Sequence, residues 1–153
     1  MRLRCLALVA LGFLALFAAP ASAQQMPANV LREWGLIGWW SLRCQQPVSS
    51  NNYYYGYVVG ADGKVYHERD LGDPSRNDKS EVVSAQLLAD GTLGISINFT
   101  SINQIRYVIF TKEPGRIRAL YNRGPSGDLT VENGLFKHNG QQTPWQYKCR
   151  EAS

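Results

Sequence analysis

The chain has 153 residues, the length of a single domain, and its 16 Lys and Arg residues outnumber 12 Asp and Glu. Two of the basic residues, Arg2 and Arg4, lie at the very start, so the remainder is close to neutral. Nucleic-acid-binding domains carry a clustered basic face, and a spanning helix needs about 18 consecutive apolar residues. We therefore expect no nucleic-acid partner, and no transmembrane segment after residue 23.

The first 23 residues have the pattern of a secretory signal peptide. Arg2 and Arg4 form a basic start, an apolar run extends from Cys5 to Ala19, and Ala21–Ala23 is a small-x-small cleavage site. Because Cys5 lies far from that site, we expect no lipid anchor. The pattern predicts cleavage after Ala23 and export, which makes the protein periplasmic or secreted.

Two cysteines, Cys44 and Cys149, lie near the two ends of the remaining chain. Exported chains reside in an oxidising compartment, so we expect these thiols to form a disulfide rather than to stay unpaired and buried. The bridge would close a loop of about 100 residues, for which chain entropy gives a stabilisation of about 4.7 kcal/mol.

The predicted elements begin with a leader over residues 24–35, followed by a single β domain over residues 36–150. Within the leader, Pro27–Trp34 has the length of one or two helical turns, with Gly35 as its stop. The first strand is predicted at Leu36–Cys44 and the second at Tyr53–Gly60. The dipeptide Asp62-Gly63 then predicts a hairpin turn.

The second half of the chain continues the β pattern. A polar loop is predicted over Leu71–Ser80, and Thr92–Phe99 has the clearest alternation of apolar and polar residues in the chain. The last strand is predicted at Trp145–Cys149, which gives eight or nine strands in all. Most connections have hairpin length, so neighbours in sequence should be antiparallel neighbours in space.

The disulfide adds a constraint on topology, because its two Cα atoms must lie within about 7 Å of each other. The first and last strands must therefore be close, and a meander of hairpins meets this condition when it closes on itself. We predict an all-β fold, an antiparallel up-and-down β-barrel of about eight strands with a short N-terminal helical segment.

The tripeptide Gly38-Trp39-Trp40 on the first strand resembles the Gly-x-Trp of the lipocalin and calycin group. That resemblance implies that Trp40 plugs the closed end of the barrel, next to Gly38, and that a basic residue, Lys148 or Arg150, packs over it. It also implies a non-catalytic binding protein that holds a small hydrophobic or amphipathic ligand.

The same features are similar to the periplasmic metalloprotease inhibitors, which are small barrels with an early Gly-x-Trp and a disulfide. That resemblance implies an alternative function, a protein-interaction or inhibitor module with a filled barrel, whose leader at residues 24–32 enters a protease as its protein partner. The segment over residues 139–149 is also similar to uncharacterised bacterial exported proteins, which implies no function.

The predicted ligand-binding residues are aromatic and basic. On the second strand Tyr53, Tyr55 and Tyr57 share one face, where large contact area and a polar tip suit a ligand; the alternative is that tyrosine simply favours strands. The remaining predicted ligand-binding residues are Arg106, Arg118 and Trp39.

The arginines could bind an acidic head group in bidentate fashion if their side chains point inward. Alternation favours the opposite arrangement for Arg118, with Ile117, Ala119 and Tyr121 inside. Inward Tyr55 and Arg118 would favour a ligand, whereas inward Ile117 and Tyr121 would favour a packed core.

The sequence contains no recognisable catalytic motif, so we do not expect an enzyme. His67 and His138 are the only histidines, and a metal site wants three or four converging ligands. We therefore expect neither a metal nor a cofactor. A barrel interior of about 300 Å³ or more would favour a ligand, and a filled interior would favour a protein partner.

Overall fold

The computed structural model describes residues 26–152. The predicted signal peptide over residues 1–23, its cleavage site after Ala23, and the first two residues of the leader lie outside the described residues. None of the described helices is long and apolar enough to cross a membrane.

The chain enters the fold through helix α1, Pro27–Trp34, as predicted. Pro27 supplies a helical φ where no backbone N–H is needed. Gly35 ends the helix with a φ of +89°, and its N–H donates to the carbonyls of Leu31 and Arg32. The apolar face of the helix is buried against the end of the barrel and consists of Ala28, Val30, Leu31 and Trp34.

The strands that follow are connected mainly by short turns. They are β1 Gly38–Ser41, β2 Tyr54–Val59, β3 Val65–Asp70, β4 Asp78–Leu87, β5 Leu93–Phe99, β6 Gln104–Glu113, β7 Arg116–Arg123, β8 Leu129–Glu132, β9 Leu135–Phe136 and β10 Gln146–Arg150. A single 3₁₀ turn, Pro74–Arg76, lies between β3 and β4.

The sheet closes on itself. Strands β1 to β7 pair as antiparallel neighbours in sequence order, and β10 pairs with both β1 and β7. The result is a closed antiparallel barrel of eight strands, which leaves β8 and β9 as an extension of the sheet beyond β7. The disulfide between Cys44 and Cys149, with Cα atoms 5.1 Å apart, joins the first and last strands of this barrel. The predicted barrel and disulfide are confirmed.

The two ends of the barrel differ. At the closed end α1 covers the interior, and the indole N–H of Trp34 donates to the carbonyl of Gly91 at 2.9 Å. Alternation on β5 places Leu93, Ile95 and Ile97 fully inside. The opposite, open end lies where β2 begins and β3 and β5 end, and it holds the cavity described below.

Two predicted boundaries differ from the structure by three residues. The first strand is shorter than predicted and ends at Ser41, three residues before Cys44. The polar loop predicted over Leu71–Ser80 is also too long, because β4 already begins at Asp78. Asp78 pairs in register with Arg69 of β3 and accepts hydrogen bonds from its guanidinium, so the polar side chains themselves extend the ladder.

Candidate functional site

The inner face of the β2–β3 hairpin carries the central residues of the site. Register places Tyr57 opposite His67 and Tyr55 opposite Arg69. In an antiparallel pair, directly opposed residues project to the same side of the sheet. Because Tyr57 and His67 are both buried in the barrel, Tyr55 and Arg69 also face inward, closer to the open end.

These side chains line a cavity of about 250 Å³. Its aromatic side includes all three predicted tyrosines, Tyr53, Tyr55 and Tyr57. Its apolar wall comes from the opposite strands and includes Ile97, Phe99, Val108, Phe110, Ala119 and Val131. An apolar cavity of about 150 Å³ can hold benzene, so this one has room for a molecule of one or two rings. Its volume is somewhat below the roughly 300 Å³ that is usual for ligand sites.

His67 is a deeply buried polar residue of the cavity, with 5% of its surface exposed. The centre of its ring lies 5.0 Å from that of Tyr57, 5.3 Å from that of Tyr55 and 5.7 Å from that of Phe99. Its Nδ1 atom is enclosed and has no hydrogen-bond partner among the described residues.

The surroundings of His67 keep the imidazole neutral. Burial lowers its pKa from 6.5 to about 4, the nearby positive charge of Arg69 acts in the same direction, and Asp78 opposes both. At neutral pH the ring therefore has one nitrogen that donates a hydrogen bond and one that accepts.

The cavity tyrosines are also neutral. Burial raises the pKa of Tyr57, and Tyr55 adds to the effect. Burial, followed by the influence of Tyr53, raises the pKa of Tyr55. The ring centres of Tyr53 and Tyr55 are 5.2 Å apart.

Arg69 lies at the rim and is the one charged residue at neutral pH among the described residues that line the cavity. Its charge is paired. Its Nε donates to Asp78 Oδ1 at 2.7 Å, its Nη2 donates to Asp78 Oδ2, and Nη2 also donates to Ser101 Oγ at 3.0 Å. These hydrogen bonds raise the pKa of Arg69 and lower that of Asp78. The pair leaves the mouth of the cavity without net charge.

The other predicted ligand-binding residues lie elsewhere. Arg106 is buried, but its guanidinium donates to Asn122 at 2.7 Å and to Asp128 at 2.8 Å, and it does not line the cavity. Arg118 lies on the face of β7 opposite to buried Ile117, with its guanidinium carbon 4.9 Å from the centre of the Trp145 ring.

Trp39 alternates with buried Trp40 and therefore faces outward, where the guanidinium of Arg150 lies 4.9 Å from the centre of its ring. Of the two residues expected to cover Trp40, it is Lys148 that does so, with its Nζ 5.9 Å from the ring centre. The Trp40 indole N–H donates to the Leu36 carbonyl at 2.8 Å, which fixes the plug at the closed end.

Two larger hollows lie beside α1 at the closed end. One of about 570 Å³ lies between the helix and β4, and one of about 410 Å³ lies along Trp34, Lys112 and Lys148. His67 lines neither of these two hollows. The interior cavity is the stronger candidate site because it combines apolar walls with a buried histidine whose Nδ1 lacks a partner among the described residues.

Sequence reasoning did not select His67 or Arg69 for the ligand site, although a signal for them was present. A hairpin turn at Asp62-Gly63 aligns the residues that lie at similar distances on either side of it. Tyr55 and Tyr57 on one strand thus imply partners on the same face of the next strand. Applying this rule would have identified both residues.

No protein-family model matches this sequence, and neither the curated proteins nor the solved structures contain a significant match. Within residues 26–152, no three His, Cys, Asp or Glu side chains lie close enough together to hold a metal ion.

Proposed function

We propose that this protein is a non-catalytic binding protein that holds one small, mainly apolar molecule inside its barrel. The observation that carries the proposal is the tyrosine-lined cavity of about 250 Å³, whose lining includes His67, a buried histidine with no partner for its Nδ1 among the described residues. Burial of apolar ligand surface would provide the affinity, and the few polar groups would fix the orientation.

The disulfide supports a location in an oxidising compartment. Together with the signal-like first 23 residues, it favours a periplasmic or secreted protein. A carrier in such a compartment needs no catalytic group, which agrees with the apolar character of the site.

The alternative of a protease inhibitor requires a leader that is free to enter another protein. Residues 27–34 are instead folded as α1, with Leu31 fully buried and Trp34 hydrogen-bonded to Gly91. Freeing this segment would expose the closed end of the barrel. The position of α1 therefore favours a ligand in the interior over a partner bound by the leader.

The test is the binding of naphthalene, a two-ring apolar probe, to the purified oxidised protein. A ligand that binds only the folded state raises the melting temperature, and at 100 times its Kd it adds about 2.7 kcal/mol. We expect this rise in the unmodified protein. Ala119→Trp should abolish it, because Ala119 lines the cavity and the new indole would fill it.

The matched control is Val83→Trp, which adds the same side chain at an exposed position on β4. It should keep the response to naphthalene. If Ala119→Trp does not fold, Ala119→Leu replaces it. Failure of naphthalene to stabilise the unmodified protein, or equal responses from the Ala119 and Val83 variants, would contradict the proposal. Native mass spectrometry of protein purified from an exporting host would identify a natural cargo.

A further inference from the structure

We infer that the ligand is an uncharged molecule with one or two rings that carries a hydroxyl, amide or carbonyl group, and that this group hydrogen-bonds to His67. The inference rests on the proposed function and specifies the class of ligand. It replaces the expectation that an arginine meets an acidic head group.

The buried polar side chain of the cavity is that of His67. It lines the cavity, and its Nδ1 is enclosed without a partner among the described residues. Leaving one such buried group unpaired costs about 1–3 kcal/mol. A ligand that lacks polar atoms would fill the apolar space but would leave this cost in place. A ligand with one polar group would remove it if a rotation of the imidazole turned Nδ1 toward the cavity.

The charges near the cavity are already neutralised. Arg69 is the charged lining residue at neutral pH, and its Nε and Nη2 already donate to Asp78 and Ser101. Arg106, which is buried, donates to Asn122 and Asp128. A carboxylate or ammonium group in the cavity would lose its water without gaining an unpaired counter-charge, which is costly. The site therefore favours an uncharged ligand.

The imidazole determines which polar group the ligand carries. A neutral imidazole can place its proton on either nitrogen, so Nδ1 can accept from a hydroxyl or an amide N–H, or donate to a carbonyl. The rings of Tyr55, Tyr57 and Phe99 surround this imidazole at 5.0 to 5.7 Å between ring centres. Aromatic rings attract other rings in offset or edge-to-face arrangements, so we expect the rest of the ligand to be aromatic and to pack against these side chains.

The experiment compares three probes that share one ring system: naphthalene, 2-naphthol and 2-naphthoate. Dissociation constants are measured at pH 7.5 by calorimetry or by tyrosine and tryptophan fluorescence. A net hydrogen bond of about 1 kcal/mol corresponds to roughly fivefold in affinity. We expect 2-naphthol to bind about 5- to 10-fold more tightly than naphthalene, and 2-naphthoate to bind more weakly than 2-naphthol.

The variant His67→Leu should still bind naphthalene but should lose the preference for 2-naphthol. His67→Gln, which keeps a donor and an acceptor, should retain part of it and serves as a second variant if His67→Leu does not fold. The matched control is His138→Leu, at an exposed histidine, which should behave like the unmodified protein.

The outcomes separate the two proposals. Equal affinity of the unmodified protein for naphthalene and 2-naphthol, or a preference that survives His67→Leu, would overturn the inference about His67 and leave the proposed function intact. Tightest binding of 2-naphthoate would overturn the conclusion that the ligand is uncharged. Failure of all three probes to bind would overturn the proposed function and the inference with it.

Discussion

Acidification should destabilise the fold through His67 before it affects most carboxylates. In the unfolded chain this histidine takes up a proton near pH 6.5, whereas burial in the barrel lowers its pKa to about 4. Between these values the unfolded state binds more protons than the folded state, so stability decreases as the pH falls. Each pKa unit corresponds to about 1.4 kcal/mol, which gives a total loss of about 3 kcal/mol.

The groups that face His67 determine the size of this effect. Arg69 on the same strand disfavours the imidazolium, and Asp78 on β4 favours it. Tyr55 and Tyr57 on β2 are neutral throughout the range because burial raises the pKa of both. Desolvation is the largest cause of the lowered pKa. The loss of stability should therefore occur between about pH 6.5 and pH 4, and the contribution of His67 to stability should be constant above pH 6.5.

The assay is urea-induced unfolding, followed by circular dichroism, at several pH values from 7.5 to 4. The unmodified protein should lose about 3 kcal/mol across the window, whereas His67→Leu should lose much less over the same range. His138→Leu controls for the loss of an exposed histidine and should follow the unmodified protein. If His67→Leu shows the same pH dependence as the unmodified protein, the buried neutral imidazole is not its source.

Two further predictions concern the architecture. Replacing both Cys44 and Cys149 by Ser removes a bridge across 105 residues and should lower the free energy of unfolding by up to about 4.7 kcal/mol; urea unfolding that shows no loss would contradict this. Gly38→Ala should cost about 1–3 kcal/mol, because φ is +141° and the new Cβ would lie 3.0 Å from the Arg150 carbonyl oxygen, part of a backbone that cannot move aside as the nearby Lys148 side chain can. Gly63→Ala also has positive φ but meets no atom within 4 Å, so calorimetry should show a smaller loss, and equal losses would refute the clash.

The fold was predictable because its signals are local or covalent. Pro27 and Gly35 mark the ends of α1, and the turn at Asp62-Gly63 marks the first hairpin. The pairing of Cys44 with Cys149 then converts a row of hairpins into a closed barrel, since it brings the first and last strands together. None of these signals depends on which side chains fill the interior.

The faces of β7 were harder to predict because a register irregularity changes them. Ile117 is buried and Ala119 lines the cavity, as regular alternation requires. The same alternation would place Tyr121 inside the barrel, but Tyr121 departs from it. The pairing with β6 shifts between Ile109 and Phe110, so Tyr121 lies beside Tyr107, with ring centres 6.4 Å apart. A bulge inserts one residue, so the residues beyond it point to the opposite faces of the sheet. No residue type at this position indicates a bulge. The inward and outward residues thus fit neither of the two sequence alternatives in full.

The partners of the arginines depend on contacts distant in sequence. Arg106 faces inward but is held by Asp128, 22 residues later, and Arg69 is held by Asp78 across a strand pair. Asp78 lies in a stretch that the sequence predicts as a loop, and Asp128 directly follows the turn between β7 and β8. The number of arginines suggests a site for an acidic ligand. Because these pairings neutralise the interior, they favour an uncharged ligand instead.

Two enclosed polar atoms lack partners among residues 26–152, and their surroundings distinguish them. Arg118 Nε belongs to a guanidinium that lies 4.9 Å from the centre of the Trp145 ring, a contact that stabilises the cation without a hydrogen bond. His67 is neutral, so its ring gains no such compensation. A leucine in its place would fill the barrel without an unpaired atom or a loss of stability in acid. The fold alone gives no reason for a histidine here, whereas a ligand that bonds to it does.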